Sequence, residues 1–322
     1  MRTVTSQVIG FLLVALAFAE GRLLHADEIK VVASIKPVHS LVAGVMEGVG
    51  APALLVKGAR SPHDYSMRPS DARTLQEADV VFWVGADLET FLVKPTAALS
   101  SGARVVALSK GEGVGLLPTR EGGLWEEAAD DPDEQPGEPG AEHAEHGQFD
   151  MHLWLDPTNA QAMVGAIVTA LRAADPDNAL IYQDNGERLR ARLAELEKVL
   201  AERLGRVGHR PFVVFHDAYQ YLESRYHLNA LGAITVDPRR RPGAHRLAQI
   251  QQQLEELDAA CVFFEPQFEP ALVDTVIEGT SAKKGVLDPL GADLDPGADH
   301  YFRLMDGLAA ALVGCLSTAP PG

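Results

Sequence analysis

Three histidines of this 322-residue chain stand in similar contexts, and together they could hold a metal ion. His63 lies in the turn-rich stretch ARSPHDYSMRPSD (Ala59 to Asp71), directly after the apolar run Pro52 to Val56. His152 lies in MHLWLDP (Met151 to Pro157), and His216 in VVFHDAY (Val213 to Tyr219). Open α/β sheets carry their ligand-binding groups beyond the carboxyl ends of strands. Any one of these side chains alone reads as an ordinary surface or core histidine; three at equivalent strand exits read as one metal site. Neutral imidazoles suit zinc, which takes four ligands in a tetrahedron, so one position remains for a carboxylate or water. Asp64 and Asp217 adjoin two of the histidines, and Glu265 stands at another strand exit. All three are candidates to orient the rings by accepting from the second ring nitrogen. The same trio with an open position and Glu265 as general base would suit a zinc hydrolase. Against it, the chain has no HExxH and no acid–base pair at a fixed helical spacing. His39 reads as part of a helix start, while His25, His209, His227, His245 and His300 share no context.

The elements that must position these groups alternate. Ile29 to Ile35, Ala53 to Val56, Val80 to Val84 and Arg104 to Leu108 read as strands. Helical spacing follows at Val38 to Val49, Pro69 to Ala78 and Asp87 to Leu99. After a helix over Ala160 to Ala173, Asn178 to Leu204 reads as one long helix with Leu189, Leu193, Leu196, Leu200 and Leu204 on one face. A second set follows, with strands at Phe212 to Phe215, Leu228 to Ile234, Ala260 to Phe264 and Gly285 to Leu287, and a closing helix at Tyr301 to Leu316. Repeated β-α alternation predicts an α/β fold with mostly parallel sheets. We therefore expect two β/α lobes, 27–177 and 208–322, joined by one rigid connecting helix over 178–207. The metal site belongs in the cleft between them.

The charge is −17, but it is concentrated: eleven acidic residues and no Lys or Arg lie between Glu121 and Asp150. Such a balance excludes a nucleic-acid partner, which needs a cationic surplus. Periodicity vanishes over about 110–148, so this stretch reads as a long solvated loop inserted in the first lobe. Arg239 to Arg241 reads as a solvated basic turn. Arg2, the apolar run Val8 to Ala19 and small residues before it ends read as a signal peptide within 1–26, too short for a comfortable span. Cleavage after Ala19 and cleavage after Ala26 both fit. No cysteine lies near that signal, so the product is expected in the periplasm without a lipid anchor and not embedded in a membrane.

SPHDYSMRPSD, MHLWLDP, FHDAYQYLE, EPQFEP (Glu265 to Pro270) and LDPLG (Leu287 to Gly291) occur in an order that resembles the periplasmic zinc-binding protein of the bacterial high-affinity zinc uptake ABC transporter. The similarity runs from about Ile29 to Leu316. It implies a monomeric receptor, not an enzyme, that carries Zn²⁺ to a membrane permease. A manganese or other divalent-metal receptor, or an adhesin of the same fold, is the alternative. From manganese-binding relatives it suggests Asp288 as fourth ligand or as a group behind the ligands, with Glu89 a weaker choice. The family's His- and acid-rich loop makes His143 and His146 candidates for weak auxiliary metal binding. Cys261 opens a strand-like run and Cys315 ends the final helix; an even cysteine count in an oxidising compartment, and the resemblance, point to one disulfide between them.

Overall fold

Short apolar runs rich in β-branched residues make the strands, and prolines open several of the helices that follow. A computed structural model describes residues 29–99, 102–125, 147–235, 238–239 and 242–317; the expected signal peptide, His143 and His146 lie outside them. In the first half, β1 (Val31–Ala33), β2 (Ala53–Leu54), β3 (Val80–Trp83) and β4 (Arg104–Ala107) alternate with α1 (Lys36–Val45), α2 (Pro69–Gln76) and α3 (Thr90–Ala97). Helices α4 (Pro157–Ala174) and α5 (Ala179–Leu204) follow. The second half repeats the alternation with β5 (Pro211–His216), α6 (Gln220–Tyr226), β6 (Asn229–Thr235), α7 (Ala244–Glu256), β7 (Cys261–Phe264), α8 (Ala271–Ile277), β8 (Lys283–Val286) and α9 (His300–Leu316).

Each set makes one four-stranded sheet, in the orders β2-β1-β3-β4 and β6-β5-β7-β8. All pairings between named strands are parallel. Within each sheet the winding reverses beside the first strand, and a crevice opens there beyond the carboxyl ends. Proline in the first turn of α1, α2 and α4 costs no hydrogen bond, because that amide has no helical partner. Asp156 caps α4 by accepting from the Thr158 amide at 2.8 Å.

The connecting helix α5 has 26 residues, about 39 Å at 1.5 Å per residue. Its stripe of Leu189, Leu193, Leu196, Leu200 and Leu204 is buried. It packs against α1 and α4 of the first lobe and α6 and α9 of the second. One contiguous apolar cluster runs from Val31 through this stripe to Leu316, so the inner faces of both lobes share a core. Each sheet's other face has a smaller cluster, around Val81 and Leu92 in one lobe and Val213 and Ile250 in the other. A shared core of this kind resists hinging, since close-packed interiors deform little.

The stretch expected as one solvated loop from about 110 is corrected at its start. The Gly115 amide donates to Asn159 Oδ1 (2.8 Å) and the Leu117 amide to the Tyr221 hydroxyl (3.0 Å). Arg120 pairs with Asp217 and Glu223 and lies over the Trp125 ring. Leu124 presses on β6 at Gly232, where an added Cβ would clash with the Leu124 side chain. Isolated side chains dock this segment on the second lobe without forming a periodic element, which is why its pattern reads as loop.

Cys261, at the start of β7, is bonded to Cys315 in α9 across 54 residues. Among the described residues no helix is long and apolar enough to cross a membrane. Closing so long a loop restricts the unfolded chain, so a Cys315→Ser variant should lose about 2–4 kcal/mol in denaturant unfolding. Equal midpoints and slopes for the two proteins would contradict that role.

Candidate metal centre

The second-lobe half of the site lies at the switch point. His216 is the last residue of β5, and Glu265 directly follows β7, the strand paired beside it. The Nδ1 of His216 and Glu265 Oε1 are 2.6 Å apart. His63 comes from the turn after β2. That turn is fastened by the Tyr65 hydroxyl, which donates to Asp71 Oδ2 at 2.7 Å, while the same oxygen accepts from the Arg68 amide at 2.9 Å at the start of α2. Burial and Asp71 together raise the Tyr65 pKa to about 12, so it stays a donor.

His152 departs from the expected context. It does not leave a sheet strand: it follows an isolated bridge between Pro118 and Phe149 and opens a single 3₁₀ turn, Leu153–Leu155. Asp150 does the positioning. Its Oδ1 accepts from the His152 amide at 2.8 Å and lies 2.7 Å from the ring Nδ1. Its own carbonyl accepts from the Tyr221 hydroxyl at 2.7 Å.

A carboxylate beside each Nδ1 favours the tautomer that donates Nδ1–H to it, which leaves the Nε2 of His152 and of His216 as the ligand atom for a metal. The Nε2 of His152 is 3.3 Å from that of His63 and 3.3 Å from that of His216. The ligand atoms of all three rings lie within 4.8 Å of one another. Two lone pairs facing at that distance repel unless a cation or a proton lies between them. Tetrahedral zinc with about 2.0–2.1 Å to each nitrogen sets neighbouring nitrogens about 3.3–3.4 Å apart. The three rings surround a cavity of about 10 Å³ for the centre of a water-sized sphere, walled also by Trp154, Phe268, Pro289 and Leu290. That is room for one ion or one water.

Charge at the rings is uneven. Burial, then the neighbouring His152 and His216 and the charge of Arg239, hold His63 well below the usual imidazole range. Burial also opposes a charge on His216, but the Glu265 carboxylate and its hydrogen bond outweigh it and raise the pKa.

Other candidates fall elsewhere. Asp288 is not brought into the cluster: its Oδ1 accepts from the Leu290 amide (3.0 Å) and Gln267 Nε2 (2.7 Å), and its Oδ2 from the Ala292 amide (2.5 Å). It is the turn-former that its Asp-Pro context also allows. Glu89 is fully buried in the first lobe, accepting from Ser34 Oγ (2.5 Å) and the Gly85 amide (2.9 Å), and burial raises it to about 7. Asp64 is exposed and Asp217 is turned to Arg120, so of the three proposed orienting acids only Glu265 meets a ring. Asp150 and Arg120 were not singled out by the sequence. The signal for Asp150 was a carboxylate two residues before a histidine, a spacing at which one oxygen reaches both amide and ring. His39 and His300 are held by the carbonyls of Pro52 and Leu290.

Because Glu265 is what raises His216, Glu265→Gln should lower the pKa of that ring in the metal-free protein. An NMR titration of the ring resonances measures it, and an unchanged midpoint would sink the assignment.

Residues 31–315 match the profile of the family described as "ZnuA: Zinc-uptake complex component A periplasmic". The high-affinity zinc uptake system protein ZnuA of Brucella suis is 46% identical over 316 residues, with 92% of this chain and 94% of that protein covered. That of Yersinia pestis is 37% identical, covering 89% and 91%. Among solved structures, a zinc-bound ZnuA deletion mutant aligns with a TM-score of 0.73 at 24% identity, over 91% of this chain and all of that one. A mutant of the laminin-binding adhesin Lmb from Streptococcus agalactiae aligns at 0.74 and 21%, over 90% of this chain, which speaks for the fold alone. The chain therefore belongs to the ZnuA family of periplasmic zinc-uptake components.

Proposed function

We propose that this protein is a periplasmic receptor that captures one Zn²⁺ on His63, His152 and His216 and delivers it to an ABC-type membrane permease. The observation that carries the reading is the convergence of three Nε2 atoms in a one-ion cavity, two of them behind carboxylate-anchored rings. A tight but exchangeable cargo site needs few protein ligands. Three imidazoles and one weaker position meet that need, and the carboxylates behind them raise ligand basicity. The zinc-uptake names of the relatives support zinc over other divalent ions as cargo, and their periplasmic setting fits a leader within 1–26 that is removed on export. Asp288 keeps the turn behind the cavity; water or an incoming carboxylate would complete the tetrahedron. The acidic stretch that carries His143 and His146 offers carboxylates and imidazoles for weak auxiliary metal binding.

Each of His63→Ala, His152→Ala and His216→Ala should weaken zinc by at least about tenfold in competitive-chelator titrations, and Asp150→Ala by about 10–100-fold. Full affinity in any one histidine variant would remove that residue from the site. Absence of turnover on ester, amide and phosphate substrates by the zinc-loaded protein separates the receptor from a hydrolase.

Protons compete with zinc for the same nitrogens. The proton meets His216 at higher pH than an ordinary imidazole, whose pKa is about 6.5, because of Glu265, whereas His63 stays free of it to lower pH. Zinc stabilises the folded chain by RT ln(1 + [L]/Kd), and acid raises the apparent Kd. The zinc-induced rise in Tm should accordingly be large at about pH 7.5 and fade towards about pH 5. An equal rise at both would rule out a histidine site.

A further inference from the structure

The wall of the cavity opposite the first-lobe histidines is the stretch Leu287 to Asp295, which contributes Pro289 and Leu290. It has no regular secondary structure, apart from the turn that Asp288 and Gly291 make, the latter at φ +64°. Donors from other elements hold it by its carbonyls. The Tyr219 hydroxyl donates to Leu287 O at 2.6 Å and Trp154 Nε1 to Pro289 O at 2.8 Å. His300 Nε2 lies 2.9 Å from Leu290 O. Lys36 takes three more: its Nζ donates to the carbonyls of Gly291 (3.0 Å), Ala292 (2.6 Å) and Leu294 (3.0 Å).

That arrangement crosses the lobes. Lys36 opens α1 in the first lobe, while its three acceptors belong to the second. The side chain is buried, and the ammonium's three N–H groups meet three carbonyls, so its hydrogen-bonding capacity is filled. Burial lowers its pKa from the usual lysine range, and Asp288, Asp293 and Asp295 nearby offset part of that. A buried charge whose only partners are backbone carbonyls of one loop fixes that loop, because displacing the loop leaves the ammonium unsatisfied. The lobes themselves share a core through α1, α5 and α9 and resist hinging. Pro289 and Leu290, like Ser61, Pro62, Gln267 and Phe268, line the cavity from outside any sheet or helix, and theirs is the loop that a first-lobe ammonium holds by three carbonyls.

We propose that Lys36 is a positioning residue for metal retention: by holding Gly291, Ala292 and Leu294 it fixes the C-terminal side of the loop whose Pro289 and Leu290 wall the three-histidine cavity, and the ion leaves when this staple opens. The inference rests on the zinc-receptor reading above. It predicts that Lys36 acts on zinc dissociation beyond any effect on folding.

The test is stopped-flow release of zinc from the loaded full-length protein into excess chelator, well below the Tm. Lys36→Met removes all three donors and should raise the dissociation rate by about tenfold, the scale of losing a buried charged hydrogen-bond donor. Lys36→Arg keeps the charge but spreads its donors in a plane, so it should raise the rate less, and it carries the test if Lys36→Met does not fold. Asn185→Ala is the control. Asn185 also bridges elements, donating from α5 to the carbonyls of Val45 and Glu47 at 2.8 Å, but it does not line the cavity. It should lower the Tm and leave zinc release unchanged. Rates within twofold of wild type for the folded Lys36 variants would overturn the proposal, as would an equal acceleration by Asn185→Ala. A wild-type protein that holds no zinc would instead overturn the receptor reading itself.

Discussion

Two hydrogen bonds from imidazole Nδ1 to buried carboxylates determine how the rest of this molecule must be built. With Asp150 and Glu265 accepting from the Nδ1–H groups of His152 and His216, both Nε2 atoms face the cavity at 3.3 Å from each other. A protein interior does not hold such an arrangement by preference, since it places like partial charges together in a low dielectric. Rigid supports must hold it. Glu265 and His216 gain theirs from neighbouring parallel strands, and Asp150 gains its own from the Tyr221 hydroxyl on α6. His63 is placed by a turn locked through Tyr65 and Asp71.

The remaining architecture distributes this rigidity over both lobes. Helix α5 buries its leucine stripe against helices of both halves, and the apolar cluster is continuous through it. The segment after β4 adds a polar tie, since Arg120 pairs with Asp217, beside His216, and with Glu223 on α6. Burial raises Glu223 to about 7 against the pull of Arg120, so this tie keeps its full strength only where that carboxyl is ionised. The linkage follows the raised pKa: the folded chain holds this proton more tightly than the unfolded one, so the contribution of Glu223 to stability is fully present below the unfolded carboxyl range and declines as pH rises through about 7.

Much of this was legible in the residues, for identifiable reasons. Parallel strands buried on both faces read as apolar runs, so Val80 to Trp83 and Phe212 to Phe215 stand out, and the leucine spacing of α5 is a helix signal of ordinary kind. His63 and His216 sit where their flanks announce them. What could not be read is contact between distant stretches. The sequence spacing of His152 suggested a strand exit that the fold does not contain. Asp288, which the resemblance put forward as a ligand, spends both oxygens on its own turn and on Gln267. Arg120 and Leu124 dock on the second lobe by single side chains, and no local pattern encodes that. Asp217 was expected to orient a ring because it adjoins one, whereas the acceptors that do so are Asp150, two residues from its histidine, and Glu265, 49 residues away.

The central claim is that a single zinc ion sits on three Nε2 atoms. An anomalous difference map from zinc-loaded crystals, collected on either side of the zinc absorption edge, addresses it directly. The account predicts one strong peak at about 2.0–2.1 Å from Nε2 of His63, His152 and His216. A principal peak that lacks any one of the three, or that lies among the acidic residues between Glu121 and Asp150 instead, would contradict it.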